Sequence, residues 1–409
     1  MVLGPTMSEG TKIQIGAGST LLVLVSLEAC LFGSGRLLVA GPLTVKMWLF
    51  LAALAYVCMR LVAHEYLKLS SVVFLLSFAT LLCIGATMGI LHHSNLDSIV
   101  EDVKPLLYCF LLLFIEMTMR TVRHLQLVIK IIKAAALIMT VGYASVLALL
   151  LSGMISFGTF YDWMSSGSDR EFMFRGESGL FFYKGSLYIA IGLIFFAFDR
   201  GRMSWLAILA AIAALVATGT RGFFLALIEI VLVHALTGIG GRVRKLRYFV
   251  VPCAGLALLL ILLFSGQLVD KQESDSVRIT TASQVMDRIT PVTIILGNGF
   301  GVGVEERPVH MENSYLEIFH KQGVLGILWW GSMFFFLIMR YRKARRANYE
   351  YAQPLFLSAC FVAFESLTNP FINNPIGIFV WLIALVGLDV LSGSRSSNAS
   401  LGPCELAVS

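Results

Sequence analysis

The sequence predicts an all-α polytopic membrane protein with about twelve transmembrane helices. Three observations predict it. The 409 residues are 57% hydrophobic and only 14% charged, where a soluble domain carries about 25% charged residues. The apolar residues gather into runs of roughly the 20 residues that cross a hydrocarbon core. The basic residues gather in the short segments between alternate runs.

The runs cover 15–34, 43–62, 70–91, 104–120, 133–152, 180–198, 203–218, 221–240, 248–266, 323–340, 353–369 and 376–392. Only Thr218-Gly219-Thr220 separates the seventh from the eighth. With the N-terminus inside, alternation places more than half of the 31 basic residues on the inner side, including the clusters GRVRKLR at 241–247 and RYRKARR at 340–346. That bias is what the positive-inside rule requires, and it puts both termini in the cytoplasm. Residues 1–392 then form a single integral membrane domain. The polar, small-residue-rich stretch 393–409 reads as a disordered cytoplasmic tail. The two longest loops, about 153–179 and 267–312, fall outside, the second directly before the tenth run. Chemistry on that face has no nucleotide sugar or ATP to draw on.

Several function classes drop out. The net charge of +6 is a topology signal here rather than a nucleic-acid footprint. The seven cysteines include no CxxC pair, and six lie in or beside apolar runs, so they read as small hydrophobes. No HExxH or His-rich metal signature occurs, and Glu273 and Asp275 read as solvated loop acids. Gly297, Gly299, Gly301 and Gly303 alternate without matching a phosphate-binding loop, and read as a mobile or tightly turning segment. No internal repeat is evident, which argues against a transporter built from repeats. Glu28, Glu116, Glu229 and Glu365 lie within apolar runs and are functional candidates by position.

Arg221 opens an apolar run at the outer surface. It reads either as a snorkelling helix-end residue or as an anion clamp, because a guanidinium is a rigid donor fork suited to phosphate and a helix N-terminus favours an anion. Gly222 removes a side chain there and would let a bulky headgroup approach. Arg278 lies in the second outer loop, either as a solvated charge paired with Asp275 or Asp287 or as a second clamp. Arg175 and Lys184, in the first outer loop and at the head of the next run, are further candidates for holding an anionic headgroup. His310 is a candidate general base, since a neutral imidazole accepts a proton near neutral pH. Its bland reading is a loop histidine before a helix capped by Asn313 or Ser314. His320, beside Lys321, reads as structural or interfacial.

Together these pieces resemble one family. The stretch TGTRGFFLAL around Arg221 is similar to the arginine-glycine motif of the O-antigen ligase and O-antigen polymerase superfamily. Arg278 with the following LGNGFG resembles the arginine of that family's large periplasmic loop. HMENSYLEIFHKQGVLG resembles its loop-end signature, in which ligases place Asn directly after His. Here Met311 and Glu312 intervene, which leans the reading towards polymerase. The resemblance implies a GT-C-like, metal-independent, inverting glycosyltransferase in a bacterial inner membrane, with no cofactor. Its substrate would be an undecaprenyl-diphosphate-linked oligosaccharide, and its partners the lipid bilayer, a chain-length regulator and a flippase of the same pathway. Arg221, Arg278 and His310 would be catalytic, and Arg175, Lys184, Asn313 and Tyr315 would bind substrate. Transfer to lipid A-core by a ligase, a lipid-oligosaccharide flippase or transporter, and a structural subunit of a biosynthetic complex are the alternatives.

Overall fold

The apolar runs become helices because a chain in hydrocarbon must satisfy its backbone hydrogen bonds within itself. The computed structural model describes residues 16–33, 39–40, 43–167, 172–175, 180–199, 201–237 and 271–399. The run 248–266, the cluster 241–247 and the end of the tail, 400–409, lie outside the described residues. The first half contains α1 (Ala17–Leu31), a short β1–β2 hairpin (Val39–Ala40, Leu43–Thr44), α2 (Val45–Val62), α3 (Leu69–Leu91), α4 (Leu96–Leu106), α5 (Leu111–Thr118) and α6 (Val122–Leu151). There follow α7 (Phe157–Gly167), an antiparallel hairpin of β3 (Phe172–Arg175) and β4 (Leu180–Tyr183), α8 (Leu187–Phe198), α9 (Arg202–Ala217) and α10 (Arg221–Thr237). After the undescribed stretch come α11 (Lys271–Asp287), α12 (Pro291–Leu296), α13 (Ser314–Ala347), α14 (Tyr349–Glu365) and α15 (Pro375–Ala399).

Among the described residues five helices are long and apolar enough to cross a membrane: α2, α3, α6, α13 and the Pro375–Gly393 part of α15. Three shorter apolar helices accompany them, at Ala17–Leu31, Lys184–Phe198 and Met203–Ala217. The chain is therefore a mostly helical polytopic membrane protein. The run 104–120 is not one span. It breaks into the end of α4, a 3-10 turn at Leu107–Phe110 and α5, and the tighter turn marks the break in the helix. The two long loops also hold more structure than expected: α7 and the β3–β4 hairpin lie in the first, α11 and α12 in the second. At the other end of the chain, α15 continues to Ala399, into the stretch expected as a tail.

α15 is the central helix: 78% of its apolar window is buried, against 17% for α2 at the periphery. The outward faces carry Leu51, Val73, Leu76, Leu232 and Phe335, all exposed, as suits helices whose solvent is lipid. α3 and α13 are stapled by aromatic packing. Trp329 stacks on Phe78 with ring centroids 4.1 Å apart and on Phe74 at 4.6 Å, and its indole N–H donates to Ser77 Oγ.

Basic residues that charge counting assigns to one face meet at one end of the bundle. Glu65 pairs with both Arg60 and Arg120, Lys68 with Asp389, and Lys133 with Asp199. Arg340 donates to Leu385 O, and Arg345 to Thr237 O at the C-terminal end of α10. The opposite ends of α3, α10, α13, α14 and α15 converge around the cavity described below.

The glycines of 297–301 turn tightly against the helices. α13 breaks at Gly323, whose φ of 63° is left-handed and favours glycine. The break removes intrahelical partners from nearby carbonyls, and Asn298 N–H and Gly299 N–H donate instead to His320 O (2.7 Å) and Lys321 O (3.1 Å). Phe300 N–H donates to Gly85 O of α3. A Cβ on Gly299, itself at φ +93°, would lie 2.1 Å from Gly89 N. Gly299→Ala should thus cost more than the roughly 1–2 kcal/mol of a left-handed residue. We expect its thermal midpoint in detergent to fall at least about 2 °C below that of Gly331→Ala, where a Cβ meets nothing within 4 Å. Equal midpoints would contradict this packing.

Candidate functional site

A cavity of about 1420 Å³ opens where α4, α10, α11, the segment 306–312, the start of α13 and the segment 368–375 meet. Arg221, Arg278, His310 and Lys184 all line it, although they are far apart in sequence. Of the other expected site residues, Asn313 caps α13: its Oδ1 accepts from Tyr315 N (2.9 Å) and Leu316 N (3.1 Å). Tyr315 donates its hydroxyl to Ala363 O at 2.7 Å. Both therefore act in the structure as helix-positioning groups rather than as cavity-lining ligands. Arg175 pairs through its backbone with Leu180, and its side chain lies outside the described residues.

The electrostatic centre is a group that the sequence reading did not single out. Lys321 Nζ lies 2.8 Å from Asp102 Oδ1, 2.7 Å from Glu317 Oε1 and 2.8 Å from Val309 O. All three ammonium donors are used, as a buried lysine requires. Lys321, Asp102 and Glu317 are each no more than 5% exposed at the side chain. The outer oxygens are satisfied too. Asp102 Oδ2 accepts from Gly301 N at 2.7 Å, and Glu317 Oε2 accepts from Asn373 Nδ2 at 2.9 Å. Glu317 and Lys321 are an i, i+4 pair, a weak signal indistinguishable in the sequence from a surface pair. Nothing in the sequence pointed to Asp102.

His310 leans on this cluster. Its Nδ1 is 3.2 Å from Glu317 Oε1 and 3.6 Å from Asp102 Oδ1, with the side chain 35% exposed. A carboxylate at Nδ1 favours the tautomer with the proton there and leaves Nε2 as the acceptor. The donors of Asp102, His310 and Glu317 all lie within 4.8 Å of one another, a spacing that could hold a metal ion. The Lys321 ammonium already bridges the two carboxylates, however, so a divalent cation would have to displace it against charge repulsion.

Met311 and Glu312, the residues between His310 and Asn313, have distinct roles. Met311 is buried in a small cluster with Val285 and Val304. Glu312 clasps two arginines: Arg278 Nε donates to Oε2 at 2.8 Å and Arg307 Nη2 donates to Oε1 at 2.6 Å. Arg278 is thus on a helix, α11, rather than in a loop, and Glu312 is one of its partners. Arg307 is a cavity-lining base that the sequence reading missed.

Arg221 begins α10, half-buried, and its guanidinium has no ion-pair or hydrogen-bond partner among the described residues. The role expected for Gly222 needs correction. A Cβ there would meet Thr368 Oγ1 at 2.4 Å and Glu365 Oε1 at 2.6 Å. Its missing side chain admits α14 and the residues after it rather than a headgroup. His320 is buried, with Asn298 Nδ2 at 3.3 Å from its Nδ1, in keeping with a structural role.

Removing Lys321 alone would strand two buried carboxylates, which costs about 3–5 kcal/mol. Lys321→Met should therefore lower the unfolding midpoint in detergent sharply. Adding Asp102→Asn and Glu317→Gln should recover much of it. A single variant as stable as the parent would contradict the ion cluster.

No family model matches the chain. Over 385 residues, covering 92% of this chain and 96% of the relative, it is 27% identical to an O-antigen polymerase of Shigella flexneri. This likeness runs through every element that builds the cavity and supports the resemblance of the chain to the O-antigen polymerase and ligase superfamily.

Proposed function

We propose that the protein is a multi-pass inner-membrane glycosyltransferase that polymerises O-antigen or related polysaccharide repeat units carried on undecaprenyl diphosphate. The observation that carries this reading is the convergence of Arg221, Arg278 and His310 on one cavity. The full-length likeness to an O-antigen polymerase supports it and favours polymerisation over transfer to lipid A-core.

In this reading the cavity opens to the periplasm, both termini are cytoplasmic, and the diphosphate of the donor lies against Arg221 and Arg278. Arg221 is ready for it, being unpaired among the described residues. Arg278 would exchange Glu312 for a phosphate oxygen, one anion for another on the same fork. The acceptor hydroxyl gives its proton to His310 Nε2 as its oxygen forms a bond to the anomeric carbon. The bond from that carbon to the diphosphate oxygen breaks, and the lipid diphosphate leaves with the electron pair. The arginines stabilise the charge that develops on it. Glu317 orients the imidazole and offsets its positive charge after proton transfer. A single displacement inverts the anomeric carbon. The lipid diphosphate is already an activated leaving group, and Lys321 occupies the one candidate cation site among the described residues, so the reaction we propose is metal-independent.

Purified protein in nanodiscs, supplied with lipid-linked repeat units, should extend chains with a chelator present. We expect His310→Ala to lower kcat by about 10²–10⁴. Arg221→Ala should lose about 10²–10³. Full activity in both variants would overturn the site assignment. Glu317→Gln keeps Asn373's partner but weakens its hold on the imidazole, and should reduce kcat at least about tenfold with KM little changed; an effect confined to KM would contradict the orienting role. In cells, deletion of the gene should leave single repeats attached to the acceptor, whereas unattached lipid-linked polymer would indicate a ligase.

A further inference from the structure

The segment 368–375, between α14 and α15, contributes Thr368, Asn369, Asn373 and Asn374 to the cavity wall. None of these carries a charge, in a cavity whose other polar lining residues are mostly ionic. One end of the segment touches the start of α10: Thr368 Oγ1 and Glu365 Oε1 crowd the place of a Cβ on Gly222, next to Arg221. Asn369 Nδ2 donates to that same Glu365 oxygen. The other end touches the base: Asn373 donates to Glu317 Oε2, and Glu317 holds His310. The segment thus bridges the anion clamp and the general base.

It is also rigid. Ile372 N–H donates to Ser366 Oγ at 2.9 Å, Ser314 N–H donates to Ser366 O at 3.0 Å, and Phe371 and Ile372 are buried. Pro370 and Pro375 further restrict it. Two amide atoms are left over. Asn369 Oδ1 has no partner among the described residues, nor has Asn374 Nδ2, whose own Oδ1 caps α15 through Ile376 N. One is an acceptor and the other a donor, and both are half-buried.

We infer that segment 368–375 is a sugar-binding subsite that holds the pyranose ring attached to the diphosphate, with Asn369 Oδ1 and Asn374 Nδ2 reading its hydroxyl or acetamido groups. This rests on the function proposed above: a ring whose anomeric carbon lies between a diphosphate at Arg221 and a hydroxyl at His310 must lie along this wall. Neutral amides suit it because they donate and accept without attracting the diphosphate itself. The subsite sets which first sugar the enzyme accepts.

Two probes test it on the full protein in nanodiscs: undecaprenyl diphosphate without sugar, and the same lipid carrying one repeat unit. Asn374→Ser retains a capping oxygen for α15 but loses the amide donor. It should weaken binding of the sugar-bearing lipid about five- to twentyfold and change the bare lipid by less than twofold. Asn369→Ala should do the same, with Asn374→Ser as the variant that leaves Glu365 undisturbed. Equal loss on both probes, or loss on neither, would overturn the subsite. Bare-lipid binding that survives Arg221→Ala, with the sugar-dependent difference intact, would overturn the diphosphate assignment and leave the subsite standing.

Discussion

A single ammonium determines how this cavity is built. Lys321 is buried between Asp102 and Glu317, and burial makes the pairing obligatory, because an uncompensated charge away from water is too costly to persist. Asp102 is on α4, while Glu317 and Lys321 are on α13, so the cluster locks two helices 219 residues apart in sequence. The glycine-rich turn after α12 serves the same end, donating from Gly301 to Asp102 and from Gly299 to the Lys321 carbonyl. The left-handed break at Gly323 is what frees that carbonyl. Backbone geometry, buried charge and the position of His310 are therefore one arrangement.

From this centre the cavity divides by chemistry. Arg221, Arg278 and Arg307 form a cationic part, Glu312 bridging the last two. His310 sits against the carboxylates, and the neutral segment 368–375 runs between the clamp and the base. Such a division suits a substrate with an anionic leaving group, a polar ring and an attacking hydroxyl.

Much of this was legible in the sequence, and the limits have physical reasons. Eleven of the twelve apolar runs coincide with helix, since hydrophobicity over a span's length is a strong signal; the twelfth lies outside the described residues. Arg221 and His310 stood out because a charged or titratable group where water meets lipid is conspicuous, and Arg278 through its resemblance to the family's loop arginine. Asp102 did not, because its importance comes only from contacts made across 199 or more residues, which no local pattern encodes. Glu317 and Lys321, four residues apart, cannot be told in the sequence from an ordinary surface pair. The break in the run 104–120 left no mark on its apolarity, which is what defined the run. Gly222 was read correctly as a close-approach glycine and wrongly as to what approaches: α14 and Thr368 fill the space.

The most direct test of the account is a structure of the protein in nanodiscs with a non-transferable lipid-diphosphate glycan bound. The account predicts phosphate density against the Arg221 and Arg278 guanidiniums, the first sugar along segment 368–375, and His310 Nε2 facing the anomeric carbon. Diphosphate density elsewhere, for instance at the Lys46 and Lys104 side of the cavity with Arg221 empty, would contradict it.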